Sequence, residues 1–287
     1  MVFKELNIWV RVLAYLLMVV LAISILYPLV WMSYTAFKSN AEVMRDPFGL
    51  PSGLDFSNIQ SAWEIGNFAR LYANSLFVTL VSVFGILAMS TAAGYALARY
   101  KFRWTTPLFI FFLIGIAVPT QALLIPGFKL MSLLDNSASA LHLPIKFLNN
   151  PLSLIITYFS WSSIAIVFIR AYFLSIPIEL PEAARVDGAN EWQIFTRIMV
   201  PLGMPAVVTM GIFYFIFVWN DFLWPLLYTQ ELSVRTIPLG LFAFRDRYTS
   251  LWGQQMAALS LATWPPIIFY LIFRRRIQRG LTAGALK

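Results

Sequence analysis

The side chains best suited to chemistry in this chain lie in the run 219–225, W-N-D-F-L-W-P, inside a strongly apolar stretch. Asn220 and Asp221 offer groups that hydrogen-bond hydroxyls, and the rings of Trp219 and Trp224 offer flat faces for the C–H side of a sugar ring. An ionisable group in a membrane segment faces the bundle interior or water. The run fits a carbohydrate path, and it fits an interfacial aromatic belt with a water-facing aspartate equally well.

The side chains that most enzymes use are scarce. The chain has no cysteine, and His142 is its only histidine. These counts exclude disulfides, cysteine nucleophiles, thiolate metal sites and a His–His metal site. The G-x-x-x-x-G-K-[ST] pattern of a P-loop does not occur, and no catalytic constellation is visible. We therefore expect no enzyme activity, no metal site and no cofactor in this chain.

A second distinctive stretch, residues 177–201, is charged and lies between two apolar segments. Prolines near its start suit a first helical turn, and Gly188 suits the left-handed residue that ends a helix. Asn190, followed three residues later by Gln193, forms a capping-box pattern for a second helix. The sequence thus predicts a helical hairpin, called the charged hairpin below. Such a hairpin either docks another protein or lies on the lipid surface.

The composition is that of an integral membrane protein. Of 287 residues, 60% are hydrophobic and 12% are charged, and the mean hydropathy is +0.74. A soluble domain carries about 25% charged residues. The apolar runs are continuous rather than alternating, so each satisfies its backbone in lipid only as a helix. The net charge of +8 is distributed as membrane orientation requires, and we expect no nucleic-acid partner.

Six apolar segments are each long enough, at about 20 residues, to cross the bilayer. They lie near Val12–Phe37, Ser75–Leu97, Pro107–Phe128, Leu152–Phe173, Leu202–Tyr228 and Met256–Phe273. The sequence predicts an all-α polytopic membrane protein with six transmembrane helices. The first run is too long for a signal peptide and predicts a retained helix. The polar stretch Lys38–Tyr72 predicts an external loop.

The basic residues predict the orientation. Thirteen of the 21 Lys and Arg residues fall on one side of this arrangement and eight on the other. The richer side of a membrane protein is cytoplasmic. Both termini and the charged hairpin are then predicted to be cytoplasmic, and the loop 229–252 is predicted to be external.

Small residues and prolines predict how the spans pack and bend. Two rows follow the second span at four-residue spacing, and such rows favour close helix packing. The rows are Ala88, Ala92, Ala96 and Ser90, Gly94, Ala98. Prolines interrupt the third and sixth spans and predict bends, cavities or hinges there. These are Pro119, Pro126, Pro265 and Pro266.

The charged hairpin resembles the EAA loop of ABC importer permeases. That loop reads E-A-A, three residues, G, nine residues, I-x-L-P, and only Val200 departs from it, replacing leucine before Pro201. The resemblance implies that the hairpin couples the permease to an ATPase. The residues it assigns to coupling are Glu182, Ala183, Ala184, Asp187 and Gly188.

Two further runs resemble the maltose-type carbohydrate-uptake branch of these permeases. They are W-N-D-F-L-W-P-L at 219–226 and the tail G-L-T-A-G-A-L-K at 280–287. The resemblance implies a type I ABC importer permease fold in a bacterial cytoplasmic membrane. It divides the chain into an N-terminal helix with its external loop (1–71), the permease domain (72–275) and a cytoplasmic tail (276–287).

The resemblance also implies the partners and the mechanism. This subunit pairs with a second homologous permease, two ATPase subunits hold ATP and Mg, and an extracytoplasmic solute-binding protein delivers the sugar. ATP binding and hydrolysis then switch the pathway between inward-facing and outward-facing states. A non-sugar solute such as a polyol or glycerol phosphate remains an alternative. A secondary transporter is another, although it usually couples through intramembrane charges, which are almost absent here.

Overall fold

The computed structural model of the protein describes residues 7–247 and 251–285. Within these residues every regular element is a helix. The first seven α-helices are α1 (Ile8–Thr35), α2 (Asn40–Arg45), α3 (Ser57–Ile65), α4 (Phe68–Arg99), α5 (Thr105–Ala117), α6 (Leu124–Ala140) and α7 (Pro151–Ser160). The others are α8 (Ser163–Ser175), α9 (Glu179–Val186), α10 (Glu191–Ile194), α11 (Val200–Trp219), α12 (Leu223–Tyr228), α13 (Ile237–Arg247) and α14 (Trp252–Ala285).

The predicted number of membrane spans is confirmed. Four helical stretches are long and apolar enough to cross a bilayer, namely Ile8–Thr35, Phe68–Arg99, Glu191–Trp219 and Trp252–Phe273. Two bent pairs, α5 with α6 and α7 with α8, bring the number to six when each pair counts as one span. The four stretches satisfy their backbone groups along their own length, as hydrocarbon requires.

The third predicted span is not one straight helix. The helices α5 and α6 meet at 92°, with a short 3-10 turn, Thr120–Leu123, between them. The break falls at Val118 and Pro119, whose backbones are extended, because a residue before proline is driven out of the helical region. Pro126 lies in the first turn of α6, where its missing N–H costs nothing.

Three other predicted spans differ from the structure. The fourth bends by 44° between α7 and α8. The fifth, predicted over Leu202–Tyr228, stops at Trp219 and resumes at Leu223 as α12. In the sixth, α14 continues as a helix through both prolines, 265 and 266, so the prolines do not end it. Neighbouring groups in a membrane helix compensate for the hydrogen bonds that proline removes.

The described chain forms two compact units. One comprises the described residues within Met1–Ala69 and Leu241–Pro265, and the other comprises those within Arg70–Gly240 and Pro266–Lys287. In the first unit the stretch predicted as an external loop is largely helical, with α2, α3 and the start of α4. A capping box between Ser39 and Glu42 begins α2, because each side chain accepts a hydrogen bond from the other residue's backbone N–H. The second span begins with α4 at Phe68, seven residues before its predicted start at Ser75.

In the second unit α4 and α8 pack closely. A Cβ added at Gly94 would lie 3.1 Å from the backbone nitrogen of Arg170, closer than most Cβ contacts, so glycine favours this close approach. Ser90, one turn earlier, donates a hydrogen bond to the carbonyl of Ser162. The predicted row Ser90, Gly94, Ala98 is thus a packing surface of α4. The parallel row differs, since Ala88 and Ala92 are exposed.

Candidate functional site

The first helix of the charged hairpin, α9, ends as its sequence predicts. Gly188 has φ +87°, a left-handed backbone conformation that residues other than glycine seldom adopt. Its N–H donates to the carbonyl of Arg185 (3.1 Å), and the N–H of Ala189 donates to that of Ala184 (3.0 Å). This pair of bonds is a Schellman motif. A Cβ at Gly188 would meet no atom within 4 Å, so the backbone conformation alone demands glycine.

The predicted capping box of the second helix is confirmed. The side chain of Asn190 accepts a hydrogen bond from the N–H of Gln193 (2.9 Å), and the side chain of Gln193 accepts one from the N–H of Asn190 (2.9 Å). The turn between α9 and α10 is therefore closed by hydrogen bonds on both sides of Gly188. Its shape is determined locally.

The second helix of the hairpin is the beginning of the fifth membrane span. The helix runs without a break for 29 residues from Glu191 to Trp219, through a π-helical segment, Phe195–Met199. Pro201 has no N–H for the carbonyl four residues earlier, and a wider turn just before it accommodates that loss. A separate second helix was the prediction, and the continuity corrects it. At about 1.5 Å per residue, this helix connects the hairpin to a point roughly 40 Å away.

One carboxylate joins three elements around the hairpin. The Oε1 atom of Glu191, at the start of α10, accepts hydrogen bonds from Nε (2.8 Å) and the terminal nitrogen (2.6 Å) of Arg185 on α9. Its Oε2 atom accepts one from the hydroxyl of Tyr100, just after α4 (2.5 Å). The hydrogen bond from Tyr100 and that from Arg185 hold the pKa of Glu191 below 4.5, its ordinary value.

Sequence reasoning missed Tyr100, Arg185 and Glu191. Opposite charges on either side of a predicted Gly188 turn were the available signal for the Arg185–Glu191 pair. Tyr100 is 91 residues away from Glu191 in sequence, and local patterns carry no information about that contact.

The lowered pKa of Glu191 gives a prediction about pH. A carboxylate whose folded pKa is depressed stabilises the fold above its unfolded pKa and loses that effect as pH falls through the folded value. We expect the purified complex to melt at a higher temperature than a Glu191→Gln variant, by an amount constant from about pH 5 to 8. Below about pH 4.5 the difference should shrink. Thermal scans at several pH values measure it, and a difference that varies between pH 6 and 8 would contradict this role.

Aromatic rings hold the base of the hairpin against the membrane helices. Tyr95 of α4 lies 5.1 Å from Phe195 in the π-helical segment and 5.7 Å from Phe173 of α8, between ring centroids. Arg99 donates to the carbonyls of Phe173 (2.8 Å) and Ile176 (2.7 Å) at the end of α8. A cation there satisfies carbonyls that the helix leaves free. The base of the hairpin is therefore in direct contact with α4 and α8.

The tip of the hairpin presents an exposed surface of mixed character. Val186 is 88% exposed and Trp192 is 71% exposed. Four of the five predicted coupling residues are exposed as well: Glu182, Ala183, Asp187 and Gly188. The fifth, Ala184, is half-buried and packs against the core. Large apolar side chains beside acidic ones form a surface suited to a protein partner.

The run 219–225 interrupts the fifth span instead of continuing it. After α11 ends at Trp219, the carboxylate of Asp221 accepts a hydrogen bond from the buried hydroxyl of Tyr158 on α7 (2.7 Å). Its other oxygen accepts one from the N–H of Leu223 (3.3 Å) at the start of α12. Asp221 thus binds the first backbone N–H of α12 and ties that helix to α7.

Asp221 also lines a pocket of about 360 Å³. The polar and aromatic residues that line it are Thr120, Gln121, Trp161, Phe217, Asn220, Asp221 and Trp224. The pocket lies beside the break between α5 and α6. Thr120 and Gln121, which directly follow Pro119 at this break, form part of its lining. Sequence reasoning did not find Thr120, Gln121 and Trp161, and the proline break was the one available signal for the first two.

The structure separates the two predicted tryptophans. Trp224 borders the pocket, and its ring lies near that of Trp161, with 6.1 Å between centroids. Trp219 is buried away from the pocket, stacked on Phe215 (5.7 Å) and near Tyr72 (6.2 Å). Asn220, Asp221 and Trp224 are thus brought together, and Trp219 is not.

A known family matches most of this architecture. The family of binding-protein-dependent transport system inner membrane components matches residues 90–283, which include the charged hairpin and the pocket-lining residues. The chain belongs to this family. It is therefore a permease subunit of an ABC importer and a multi-pass inner membrane protein, and the resemblance drawn from the sequence is confirmed.

Individual relatives of this permease extend over almost its whole length. A probable ABC transporter permease protein, YurM, of Bacillus subtilis is 33% identical over 99% of this chain and 89% of its own. The diacetylchitobiose uptake system permease DasC of Streptomyces coelicolor is 30% identical over 98% of this chain and 97% of its own. The arabinooligosaccharide transport system permease AraQ of Halalkalibacterium halodurans is 33% identical over 91% of each chain.

A solved structure has the same fold. A chain from a bacterial ABC transporter involved in the import of alginate, an acidic polysaccharide, superposes with a TM-score of 0.78. It is 25% identical, and the match covers 92% of this permease and 95% of that chain. The predicted importer permease fold is confirmed.

Two stretches singled out in the sequence are described only in part. The tail 280–287 continues α14 as far as Ala285, and Leu286 and Lys287 lie outside the described residues. The predicted external loop 229–252 contains α13, Ile237–Arg247, while residues 248–250 lie outside the described residues.

Proposed function

We propose that this permease forms half of a transmembrane pathway for oligosaccharides, driven by an ATPase that docks on the charged hairpin. The observation that carries the proposal is the unbroken helix Glu191–Trp219. It begins in the hairpin and ends next to the pocket that Asn220 and Asp221 line. A displacement at one end of such a helix moves the other, and this is the coupling that an importer needs.

The pocket suits a sugar chemically. The carboxylate of Asp221 and the amides of Asn220 and Gln121 hydrogen-bond hydroxyls, and the rings of Trp161 and Trp224 offer apolar surface. The diacetylchitobiose and arabinooligosaccharide systems of the related permeases support this substrate class.

The lining favours a neutral substrate over a phosphorylated one. Among the described residues that line the pocket, Asp221 carries a negative charge and none is Lys or Arg. Phosphate recognition uses Arg, Lys or a cluster of free backbone N–H groups. Glycerol phosphate, the alternative raised by the sequence, is therefore the weaker candidate.

The proposed assembly has four further subunits. A second homologous permease completes the pathway, and two ATPase subunits contact the exposed tips of the hairpins. ATP and Mg bind to those subunits, hydrolysis occurs there, and this chain needs no cofactor of its own. A solute-binding protein delivers the sugar from the external side of the membrane. Both termini of the permease lie on the cytoplasmic side, as does the hairpin. Docking that differs between the two states of the ATPase drives the switch.

Transport by the reconstituted complex tests this function. The chain is purified with its co-expressed partners and placed in liposomes, and uptake of a panel of labelled oligosaccharides is measured with ATP inside and binding protein outside. We expect uptake of at least one neutral oligosaccharide that requires both components. Uptake that runs on an ion gradient without ATP would instead identify a secondary transporter.

A further inference from the structure

The connection between α1 and α3, residues 36–56, folds back over the end of α1. Trp31 donates a hydrogen bond from its indole nitrogen to the carbonyl of Pro47 (2.9 Å), and Tyr34 donates one from its hydroxyl to the carbonyl of Phe48 (2.8 Å). The rings of Trp31 and Phe48 also lie 6.2 Å apart. Trp31 lies about one turn before Thr35, the last residue of α1. Phe48, which contacts Trp31, therefore lies about 6 Å before the end of that helix.

A buried lysine holds this connection closed. Lys38 is 1% exposed, and its ammonium group donates to the carbonyls of Asp46 (2.5 Å) and Gly49 (2.7 Å). The amide of Asn58 donates to the carbonyls of Ala36 (3.0 Å) and Lys38 (2.8 Å). A buried charge stays in place only when its hydrogen bonds are satisfied, so these contacts give the connection one defined shape.

The connection exposes several large apolar side chains, next to the exposed polar residues Arg45, Asp46, Ser52 and Asp55. Leu50 is 79% exposed, Leu54 is 73% exposed and Phe48 is 68% exposed, and the large side chains of Met44 and Phe56 are exposed too. The described residues of the first unit leave all five more than half exposed. Large apolar side chains exposed in this number on one short connection form a patch that marks an interaction site.

The patch lies against the end of α1, whose surface is also apolar and exposed. That helix has a mean hydropathy of 2.5 over its most apolar window, and no residue of the window is buried. Trp31 and Tyr34, on which the connection rests, are the residue types that concentrate at the boundary between headgroups and acyl chains. The connection therefore lies at the depth where the membrane surface is expected.

We propose that residues 44–56 lie in the membrane interface, with Phe48, Leu50 and Leu54 inserted among the lipids at the end of α1. The external loop predicted from the sequence is then an interfacial anchor for the first helix. Lys38 is buried within it instead of extending to the water. The occupant of the patch is lipid, and neither the solute-binding protein nor the second permease covers it.

Spin labelling tests this placement directly, because the natural sequence has no cysteine. Single cysteines at positions 48, 50 and 54 are labelled with a nitroxide in the full transport complex, in phosphatidylcholine–phosphatidylglycerol liposomes. Power saturation then compares collision with oxygen, which partitions into lipid, and with a water-soluble nickel chelate. Exposed Leu21 in α1 serves as the lipid reference, and exposed Glu64 in α3 serves as the water reference.

We expect the three labels to follow Leu21 in favouring oxygen, while the label at Glu64 favours the nickel chelate. Labels at 48, 50 and 54 that favour the nickel chelate would overturn the proposal in favour of a solvated loop. Labels shielded from both reagents would overturn it in favour of a covering protein. Retained ATP-dependent uptake by each labelled complex shows that the label has not displaced the fold.

Discussion

Replacement of Gly188 by valine is expected to reduce transport by tenfold or more while leaving the permease inserted in the membrane. Gly188 has φ +87°, and a β-branched residue in that region costs about 1–3 kcal/mol. The turn would relax by breaking the Schellman bonds that orient α9 on α10. Because each 1.4 kcal/mol changes an equilibrium about tenfold, docking of the ATPase should weaken by a similar factor. Co-purification of the ATPase and ATP-driven uptake measure the two effects.

The matched control is Gly188→Asn. Asparagine is among the side chains that adopt the left-handed region, and a Cβ at this position meets no neighbouring atom. This variant should retain most docking and transport, which separates the backbone requirement from the loss of glycine as such. Wild-type uptake and co-purification in Gly188→Val would contradict the role assigned to this turn.

Replacement of Asp221 by alanine is expected to weaken the apparent affinity for sugar by about tenfold or more, with assembly and ATPase docking preserved. The variant loses a charged hydrogen-bonding group of the pocket, and such a group is worth about 1.5–3 kcal/mol. It also leaves the buried hydroxyl of Tyr158 without its acceptor. Uptake measured at sub-saturating sugar gives the effect.

Two further variants separate the contribution of substrate contact from that of structure. Asp221→Asn keeps an acceptor for Tyr158 and a polar group in the pocket, so its loss should be smaller. Tyr158→Phe removes the hydroxyl and leaves the carboxylate, and it should lower stability more than affinity. If Asp221→Ala transports normally at sub-saturating sugar, the residue is a structural carboxylate that ties α12 to α7, and the site assignment is wrong.

The hairpin shows what sequence patterns of this kind predict well. The turn at Gly188 and the capping box of Asn190 with Gln193 each depend on bonds between residues at most five apart. Local rules of backbone geometry are sufficient for such features. The six spans were also predictable, because a bilayer demands long apolar helices.

The missed features depend on partners distant in sequence or on irregular backbone. Asp221 meets Tyr158 across 63 residues, and Glu191 meets Tyr100 across 91. The π-helical segment Phe195–Met199 keeps the helical spacing of apolar residues, so no pattern distinguishes it from an ordinary helix. Trp219 and Trp224 are five residues apart and of one type, yet the break between α11 and α12 sends them to different surroundings.

Cross-linking from the hairpin tests most directly whether the ATPase acts there. Ala183 and Trp192 are exposed at its tip, and a single cysteine at either position is introduced into a chain that naturally has none. We predict that each forms a thiol-specific cross-link to the ATPase subunit in the assembled complex, with a yield that changes when ATP is bound. A cysteine at Leu50, on the predicted opposite side of the membrane, should form none. A complex that transports sugar but gives no cross-link from either hairpin position would contradict the account.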